Sequence, residues 1–356
     1  CYNYHSKGSN TDERYYARLA AQRSQSQLIE WPRDPSLRLE SILRMRKHPV
    51  PENYISVVEA AEVEPQLVER CGATAITTGV GGDQLWCQNL AMGAIDYAVC
   101  HGIRPGLFQV AMESARLESA SVWRTLVEAL NHAMLRRANN IESIFDQFNR
   151  RVLITDAATA ALRRGGGYTH PLIAEYSRPE AAGGRLGLGK LLQLMQLLRP
   201  GFTQNLLTPY GMPLYLSPLL SQPLIELALS IPTYIHTHGG WDRAIARLAF
   251  QHDLPAEVVN RRSKGGSEEQ SRAVFKGNVD FISRWIANGE LVRQSVLDRQ
   301  GLSDLFSGRP TRRDATPVEI YDCLFTETWL RHYVQSPVGA RSTGQVAMQQ
   351  SLPTRM

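Results

Sequence analysis

The sequence lacks the features that mark several classes of protein. It contains no run of about eighteen apolar residues and no basic-then-apolar N-terminal segment, so neither a membrane span nor a signal peptide is indicated. Its five cysteines include no C-x-x-C pair and are odd in number, which argues against a disulfide framework. We therefore expect a reducing compartment, the cytoplasm by default, and mostly buried thiols.

Glycine, proline and net charge are also modest. The chain has 27 Gly and 19 Pro in 356 residues, which excludes a fibrous or low-complexity protein. Hydrophobic residues make up 43% and charged residues 21%, as in folded globular proteins. The net charge of +5 is small for this length, so nucleic-acid binding is not implied.

Strand and helix patterns alternate in the first hundred residues. Strands are predicted near 1–5, 27–31 and 73–78, and helices over 11–24, 65–70 and 84–100. This alternation predicts an α/β fold with a small parallel sheet. From about residue 114 the pattern is almost wholly helical, with apolar stripes over 118–135, 219–230, 239–251, 267–289 and 316–334.

Two segments break this pattern. Residues 163–190 are rich in Gly and Arg and predict a surface insertion or a mobile loop. The tail over 337–356 has no apolar period and predicts disorder, which leaves 1–336 as one domain.

A glycine-rich turn follows the strand predicted at 73–78. Residues 77–84 read Thr-Thr-Gly-Val-Gly-Gly-Asp-Gln, so the backbone amides of Gly79, Gly81 and Gly82 could form an anion-binding nest. Asp83 adds a carboxylate that could hold Mg²⁺ beside phosphate oxygens. The structural alternative is a tight left-handed turn with Asp83 as the helix N-cap.

Two other glycine patterns are weaker. Gln84 stands where a dinucleotide fingerprint needs its third glycine, which argues against a Rossmann oxidoreductase. Residues 184–190 have the G-x-x-x-x-G-K spacing of a phosphate loop, but Leu191 replaces the Ser or Thr that would hold Mg²⁺, and no strand precedes the motif. A flexible glycine loop is the better interpretation.

Three cations in the C-terminal half are candidates for binding phosphate. Arg243 and Arg247 are four residues apart on a predicted helix and share a face, and Lys264 follows two arginines on a loop. Taken singly, each also fits a solvated surface charge.

The glycine turn and this cationic region together resemble the synthetase domain of glutamine-dependent asparagine synthetase and its relatives, the β-lactam synthetases and lasso-peptide cyclases. Thr78 to Asp83 matches the family's Ser-Gly-x-Gly-(Ala/Ser/Gly)-Asp turn, and Arg243 and Lys264 match its cationic helix and lysine loop. The runs at 218–226 and 239–244, with a His-Pro segment at 168–172, are closest to the lasso-cyclase-like branch. The resemblance implies a fold of the adenine nucleotide alpha-hydrolase-like, PP-loop ATP pyrophosphatase type.

The resemblance also implies a chemistry with ATP and Mg²⁺ as cofactors. ATP transfers AMP to a substrate carboxylate and releases pyrophosphate, after which a nitrogen nucleophile displaces AMP and forms an amide. In this scheme Asp83 binds Mg²⁺ and pyrophosphate, Gly79, Gly81, Gly82 and Arg247 contribute to the nucleotide site, and Arg243 and Lys264 act as catalytic cations on phosphate and on the acyl-adenylate.

Three departures bear on that expectation. The family's Ser-Gly-Gly-x-Asp-Ser loop, expected just before the strand at Cys1, is absent from these residues, and so is its glutaminase domain. We expect a chain that is N-terminally incomplete and inactive as the isolated 356 residues. Val80 and Gln84 replace acidic residues of aspartate-using members, which favours a peptide or another larger carboxylate as substrate.

Alternative functions stay open from the sequence. The chain is either part of an amide-forming enzyme, including a fragment of a genuine asparagine synthase, or a non-catalytic scaffold that binds a partner. A glutaminase domain or a precursor-processing protein is a possible partner, whereas nucleic acid and membrane are not expected.

Overall fold

The computed structural model describes residues 1–6, 11–45, 51, 55–88, 90–134, 153–164, 187–198, 213–263, 265–266, 268–307, 309 and 316–335. The His-Pro segment at 168–172, most of the insertion at 163–190, the tail at 337–356 and Lys264 lie outside these residues. The described residues form a mixed α/β structure that is mostly helical.

The strands form two small parallel sheets. β1 (Tyr2–His5) pairs with β2 (Ile29–Pro32), with Tyr2 opposite Ile29. β3 (Ala75–Thr77) pairs with β4 (Leu214–Leu216), with Ile76 opposite Tyr215. The three strands predicted from the sequence are confirmed to within two residues, but among the described residues they belong to two sheets and not to one. β4 was not predicted.

Helices account for most of the remaining described residues. Those before residue 200 are α1 (Arg14–Arg23), α2 (Ser56–Cys71), α3 (Gly82–Leu85), α4 (Gly93–His101), α5 (Gly106–Glu118), α6 (Val122–Met134), α7 (Asp156–Arg164) and α8 (Leu188–Leu197). Those after residue 200 are α9 (Gln222–Ser230), α10 (Thr233–His236), α11 (Ala244–Ala249), α12 (Ala256–Val259), α13 (Glu268–Gly277), α14 (Val279–Ala287), α15 (Glu290–Arg293), α16 (Arg299–Phe306) and α17 (Pro317–Gln335). Short 3₁₀ turns lie at Leu39–Leu43, Pro218–Leu220 and His238–Gly240.

Some helix boundaries differ from the predictions. The helix predicted over 84–100 is two helices, α3 and α4, because the chain turns between them at Cys87, which has a left-handed φ of 56°. The helix predicted at 65–70 is the end of the longer α2. The predicted insertion ends earlier than expected, since α8 already begins at Leu188.

Separate apolar clusters hold these elements together. The largest joins the C-terminal helices to the 3₁₀ turn at Leu39–Leu43 and to α2, and it includes Leu39, Ile282 and Leu324. A second joins α4, α5, α6 and α8. A small third cluster contains Leu85, Trp86 and Ala228, with Leu219 and Ile245 packed against it. This third cluster fixes α3 relative to α9 and α11, and so it positions the site described next.

All five cysteines lie within the described residues, and no disulfide joins any of them. The expectation of mostly buried thiols is wrong, because Cys1, Cys71 and Cys100 are exposed and Cys87 and Cys323 are buried. In the part of the chain that the structure describes, no helix combines the length and the apolar character needed to cross a membrane.

Candidate functional site

The glycine turn leads from the end of β3 into α3. Gly81 has a left-handed backbone with φ of 96° and is the N-cap of α3, so Asp83 lies in the first turn of this helix and is not its cap. The amides of Gly82, Gln84 and Leu85 donate to carbonyls within the turn. The expected left-handed turn is therefore present, and some of its backbone amides are already hydrogen-bonded to carbonyls of the turn itself.

Packing explains two of the three glycines. A Cβ on Gly81 would lie 2.4 Å from Cδ2 of Leu220, and one on Gly82 would lie 2.9 Å from Cδ1 of Leu219. Nothing lies within 4 Å of a Cβ placed on Gly79, which is exposed. The close approach of the turn after β4 therefore requires the second and third glycines, whereas the space beside Gly79 is open to a ligand.

Asp83 and Arg243 meet across 160 residues of chain. Arg243 Nη1 donates to Asp83 Oδ1 at 3.1 Å, with 27% and 37% of the two side chains exposed. Arg243 itself has a left-handed φ of 54° as the N-cap of α11. Leu85 lies two residues after Asp83, and Ile245 lies two residues after Arg243. Because Leu85 and Ile245 pack in one apolar cluster, the same core supports both charged side chains.

The carboxylate of Asp242 links the two predicted arginines. Its Oδ2 accepts from Arg243 Nη2 at 3.0 Å and its Oδ1 accepts from Arg247 Nη2 at 2.8 Å. Arg247 also donates to the carbonyls of Asp242 and Val259, and only 14% of its side chain is exposed. In this geometry Arg247 stabilises the loop around Asp242. Its contact with a nucleotide stays a prediction.

The segment around Lys264 lies beside these residues. The guanidinium of Arg262 lies 3.8 Å from the centroid of the Trp241 ring, and that of Arg247 lies 5.3 Å from it. Trp241 directly precedes Asp242 and Arg243 in the chain. Arg262, two residues before Lys264, thus contacts the loop whose Arg243 pairs with Asp83. The position of Lys264 itself stays a prediction.

The second glycine motif, at 184–190, has a structural role where it is described. Asp96 is 3% exposed, and its carboxylate accepts from the amides of Gly189 and Lys190 at 2.8 and 2.9 Å. Lys190 Nζ donates to Gln193 and to the carbonyl of Ile231. Burial raises the pKa of Asp96 and lowers the pKa of Lys190. A protein carboxylate therefore occupies the start of α8, and residues 188–190, interpreted from the sequence as part of a flexible loop, belong to this helix.

The donor set fits a magnesium ion that arrives with phosphate. Asp83 supplies one carboxylate, and Mg²⁺ usually binds through one or two carboxylates together with substrate phosphates and water. Within the described ranges, no group of three or more His, Cys, Asp and Glu residues could hold a metal ion without such a ligand.

Comparison with known families adds one finding. Residues 216–331, about a third of the chain, match the family model described as asparagine synthase. This match supports the asparagine synthase family. It contains Arg243 and Arg247 but begins after the glycine turn and Asp83. A search of curated proteins found no match to the chain.

The asparagine synthase domain implies ATP-dependent amide-bond ligase activity in general, and the family generally uses ATP and Mg²⁺. Sequence reasoning had assigned no role to Asp242, Trp241 and Glu13, which surround the predicted cations. Asp242 could have been noticed as an acid next to Arg243, but the contact of Glu13 with the lysine loop joins residues 252 apart and leaves no local signal.

Proposed function

We propose that the chain is the synthetase part of an ATP-dependent amide-forming enzyme that works through an acyl-adenylate. A substrate carboxylate oxygen attacks the α-phosphorus of ATP and pyrophosphate leaves. A nitrogen nucleophile then attacks the acyl carbon, AMP leaves and the nitrogen loses a proton. The observation that carries this proposal is the pairing of Asp83 with Arg243, since one follows a parallel strand and the other lies in the segment that matches asparagine synthase.

The proposed roles follow from charge and position. Mg²⁺ bound at Asp83 supplies charge neutralisation for pyrophosphate. Arg243, released from Asp83, binds a phosphate oxygen, and Lys264 neutralises charge on the acyl-adenylate. The turn from Gly79 to Gly82 borders the phosphates, and Asp242 keeps the guanidinium of Arg243 in place.

A cavity supports the proposal that this nucleotide site is incomplete. It has a volume of about 750 Å³ and is lined by residues of both sheets, including Tyr2 of β1 and Ala75, Ile76 and Thr77 of β3. In the described part of the chain β1 and β3 each pair with one strand only, so each has an open edge. We propose that one more parallel strand, from residues outside this sequence, fills this space and brings the Ser-Gly-Gly-x-Asp-Ser loop.

The contact of both sheets with α2 agrees with such an arrangement. Tyr2 of β1 donates to Glu64 Oε1 at 2.7 Å, and Tyr215 of β4 donates to Glu64 Oε2. Glu64 is 5% exposed and lies on α2. One helix thus supports both sheets from the same side, as it would beneath a continuous sheet.

For the substrate we propose a peptide or another large carboxylate, on the branch of the lasso-peptide cyclases. The half-buried Val80 is apolar and offers no anion to an ammonium group, whereas selection of free aspartate needs one. A fragment of a genuine asparagine synthase is the second candidate, favoured by the description of the matching family. A non-catalytic scaffold is the third, because the packing of Gly81 and Gly82 against Leu220 and Leu219 also serves folding alone.

The test is pyrophosphate release by the complete gene product. The assay is run with aspartate and glutamine and then with a precursor peptide encoded beside the gene. Pyrophosphate release with the precursor peptide, but not with aspartate and glutamine, supports the proposal. Robust asparagine formation supports the second candidate. Absence of release with every carboxylate, in a protein that also fails to bind Mg-ATP, supports the scaffold.

A further inference from the structure

The carboxylate of Glu13 holds the loop that carries Lys264, from the other end of the chain. Glu13 Oε1 accepts the amide of Gly265 at 2.8 Å and Nη1 of Arg261 at 2.7 Å. The amide nitrogen of Gly265 is bonded to the carbonyl carbon of Lys264. Glu13 therefore fixes the backbone directly beside the lysine.

Glu13 makes these contacts instead of capping its own helix. It is the N-cap residue of α1, yet its side chain makes no capping hydrogen bond. The amide of Arg14 is bound by Asp12 Oδ1 at 3.1 Å, and the carbonyl of Glu13 accepts from the amide of Ala17. The backbone of Glu13 is thus anchored in a regular helix while its carboxylate is committed to the distant loop.

The fit between Glu13 and Gly265 leaves no room for a side chain. A Cβ on Gly265 would lie 2.4 Å from Cγ and 2.6 Å from Oε1 of Glu13. One helical turn along α1, the Tyr16 ring lies 4.1 Å from the guanidinium carbon of Arg261. Two side chains of α1 therefore contact Arg261 and Gly265, which precede and follow Lys264 in the sequence.

The loop is held on its other side by the candidate site. Arg262 stacks on Trp241, the residue before Asp242 and Arg243. Where this loop leaves α12, the amides of Asn260 and Arg261 donate to the carbonyls of Ala256 and Val258. Beyond that point, the contacts of Gly265 with Glu13 and of Arg262 with Trp241 hold the described residues of the loop.

We propose that Glu13 is a positioning residue for Lys264, an inference that rests on the proposed function. A lysine side chain is long and flexible, so its amine is placed well only when its backbone is fixed. Glu13 supplies this fixation through the amide of Gly265, and Gly265 is required because only glycine can approach the carboxylate this closely.

The first test measures hydrogen exchange of the Gly265 amide in the 356-residue chain. Glu13→Ala should accelerate this exchange several-fold, and Glu13→Gln, which keeps an acceptor oxygen, should accelerate it less. The matched control is Glu30→Gln, which removes the partner of Arg18 on the same helix and leaves the loop alone. Unchanged exchange in folded Glu13→Ala, or an equal rise in the control, would overturn the inference.

The second test measures steady-state kinetics of the complete gene product. In Glu13→Ala and Gly265→Ala, kcat should fall by about 100-fold with little change in KM for ATP, since misplacement of a reacting group by about 1 Å costs this much. A purely structural role would lower the active fraction and leave the kcat of the remaining enzyme unchanged. If Lys264→Ala abolishes turnover but Glu13→Ala does not slow it, only the positioning role of Glu13 is refuted. If the Lys264→Ala variant stays active, the proposed function is refuted as well.

Discussion

Asp83 and Arg243 are separated by 160 residues and form an ion pair with 3.1 Å between Oδ1 and Nη1. Both side chains are partly exposed, so their attraction is screened by water and contributes little to stability. Asp242 holds the same arginine from its other nitrogen. A pair that is weakly stabilising but firmly oriented is better suited to bind a phosphate and its metal ion than to hold the fold together.

The exchange Asp83→Asn should separate binding chemistry from stability. In the complete gene product we expect pyrophosphate release to fall by about 100-fold or more, because a positioned charge of the nucleotide site is lost. The free energy of unfolding should change by less than about 1 kcal/mol, as for other partly exposed pairs. Asp304→Asn, which removes a partly exposed pair with Arg309, is the control for charge loss. Full activity of Asp83→Asn would refute the assignment.

The isolated 356-residue chain should have little ATP-dependent activity. Its glycine turn and cations are present, but the sequence contains no Ser-Gly-Gly-x-Asp-Ser loop to hold the remaining phosphates. Pyrophosphate release is measured with excess Mg-ATP, and binding is measured by calorimetric titration. Either turnover or tight binding by this chain alone would show that the loop is not needed.

The strand proposed between the two sheets can be detected through cysteines. Cys1 and Cys71 are exposed and line the cavity, so both should react with a maleimide in the 356-residue chain and be protected in the complete gene product. Cys100 is exposed away from the cavity lining and should react in both proteins. Cys87 should react in neither, because burial raises the pKa of its thiol to about 12. Equal labelling of Cys1 and Cys71 in both proteins would contradict the added strand.

Local sequence patterns predicted the elements that local forces determine. The strands at 2–5, 29–32 and 75–77 were each predicted from a short local segment. The segment around 75–77 is a β-branched run, and the left-handed turn after it follows from glycine. The predicted single sheet was wrong for the described residues, because each strand pair is set by contacts far apart in the chain. The short run at 214–216 is only three residues long, and its pairing with β3 joins Leu214 to the distant Ala75.

The candidate site shows the same division. Single residues such as Asp83 and Arg243 were singled out because the glycine turn and the cationic region stand out in the sequence. Their joint support by Asp242, and the clamp of Glu13 on the loop of Lys264, depend on tertiary packing. The packing role of Gly81 and Gly82 depends on Leu219 and Leu220, which lie in the 3₁₀ turn after β4.

His236 should make the stability of the fold depend on pH. The side chain is 0% exposed, and its Nε2 donates to the carbonyl of Ala228 at 3.0 Å, while Nδ1 has no hydrogen-bond partner among the described residues. Burial, with the nearby charge of Lys190, lowers the pKa of this imidazole below its ordinary value of 6.5. The folded protein therefore keeps the ring neutral at a pH where the unfolded chain protonates it.

The sign of the effect follows from this difference. Above pH 6.5 the ring is neutral in both states and adds no pH dependence, whereas below 6.5 the unfolded state gains a proton first and stability falls until the pH passes the lowered pKa of the folded state. The slope contributed by this residue is at most about 1.4 kcal/mol per pH unit. Urea unfolding at several pH values should show a smaller loss below pH 6.5 in His236→Gln, whose amide can still donate to Ala228. His252→Gln, at an exposed position, should behave like the parent protein, and an unchanged slope in His236→Gln would assign the acid sensitivity to another group.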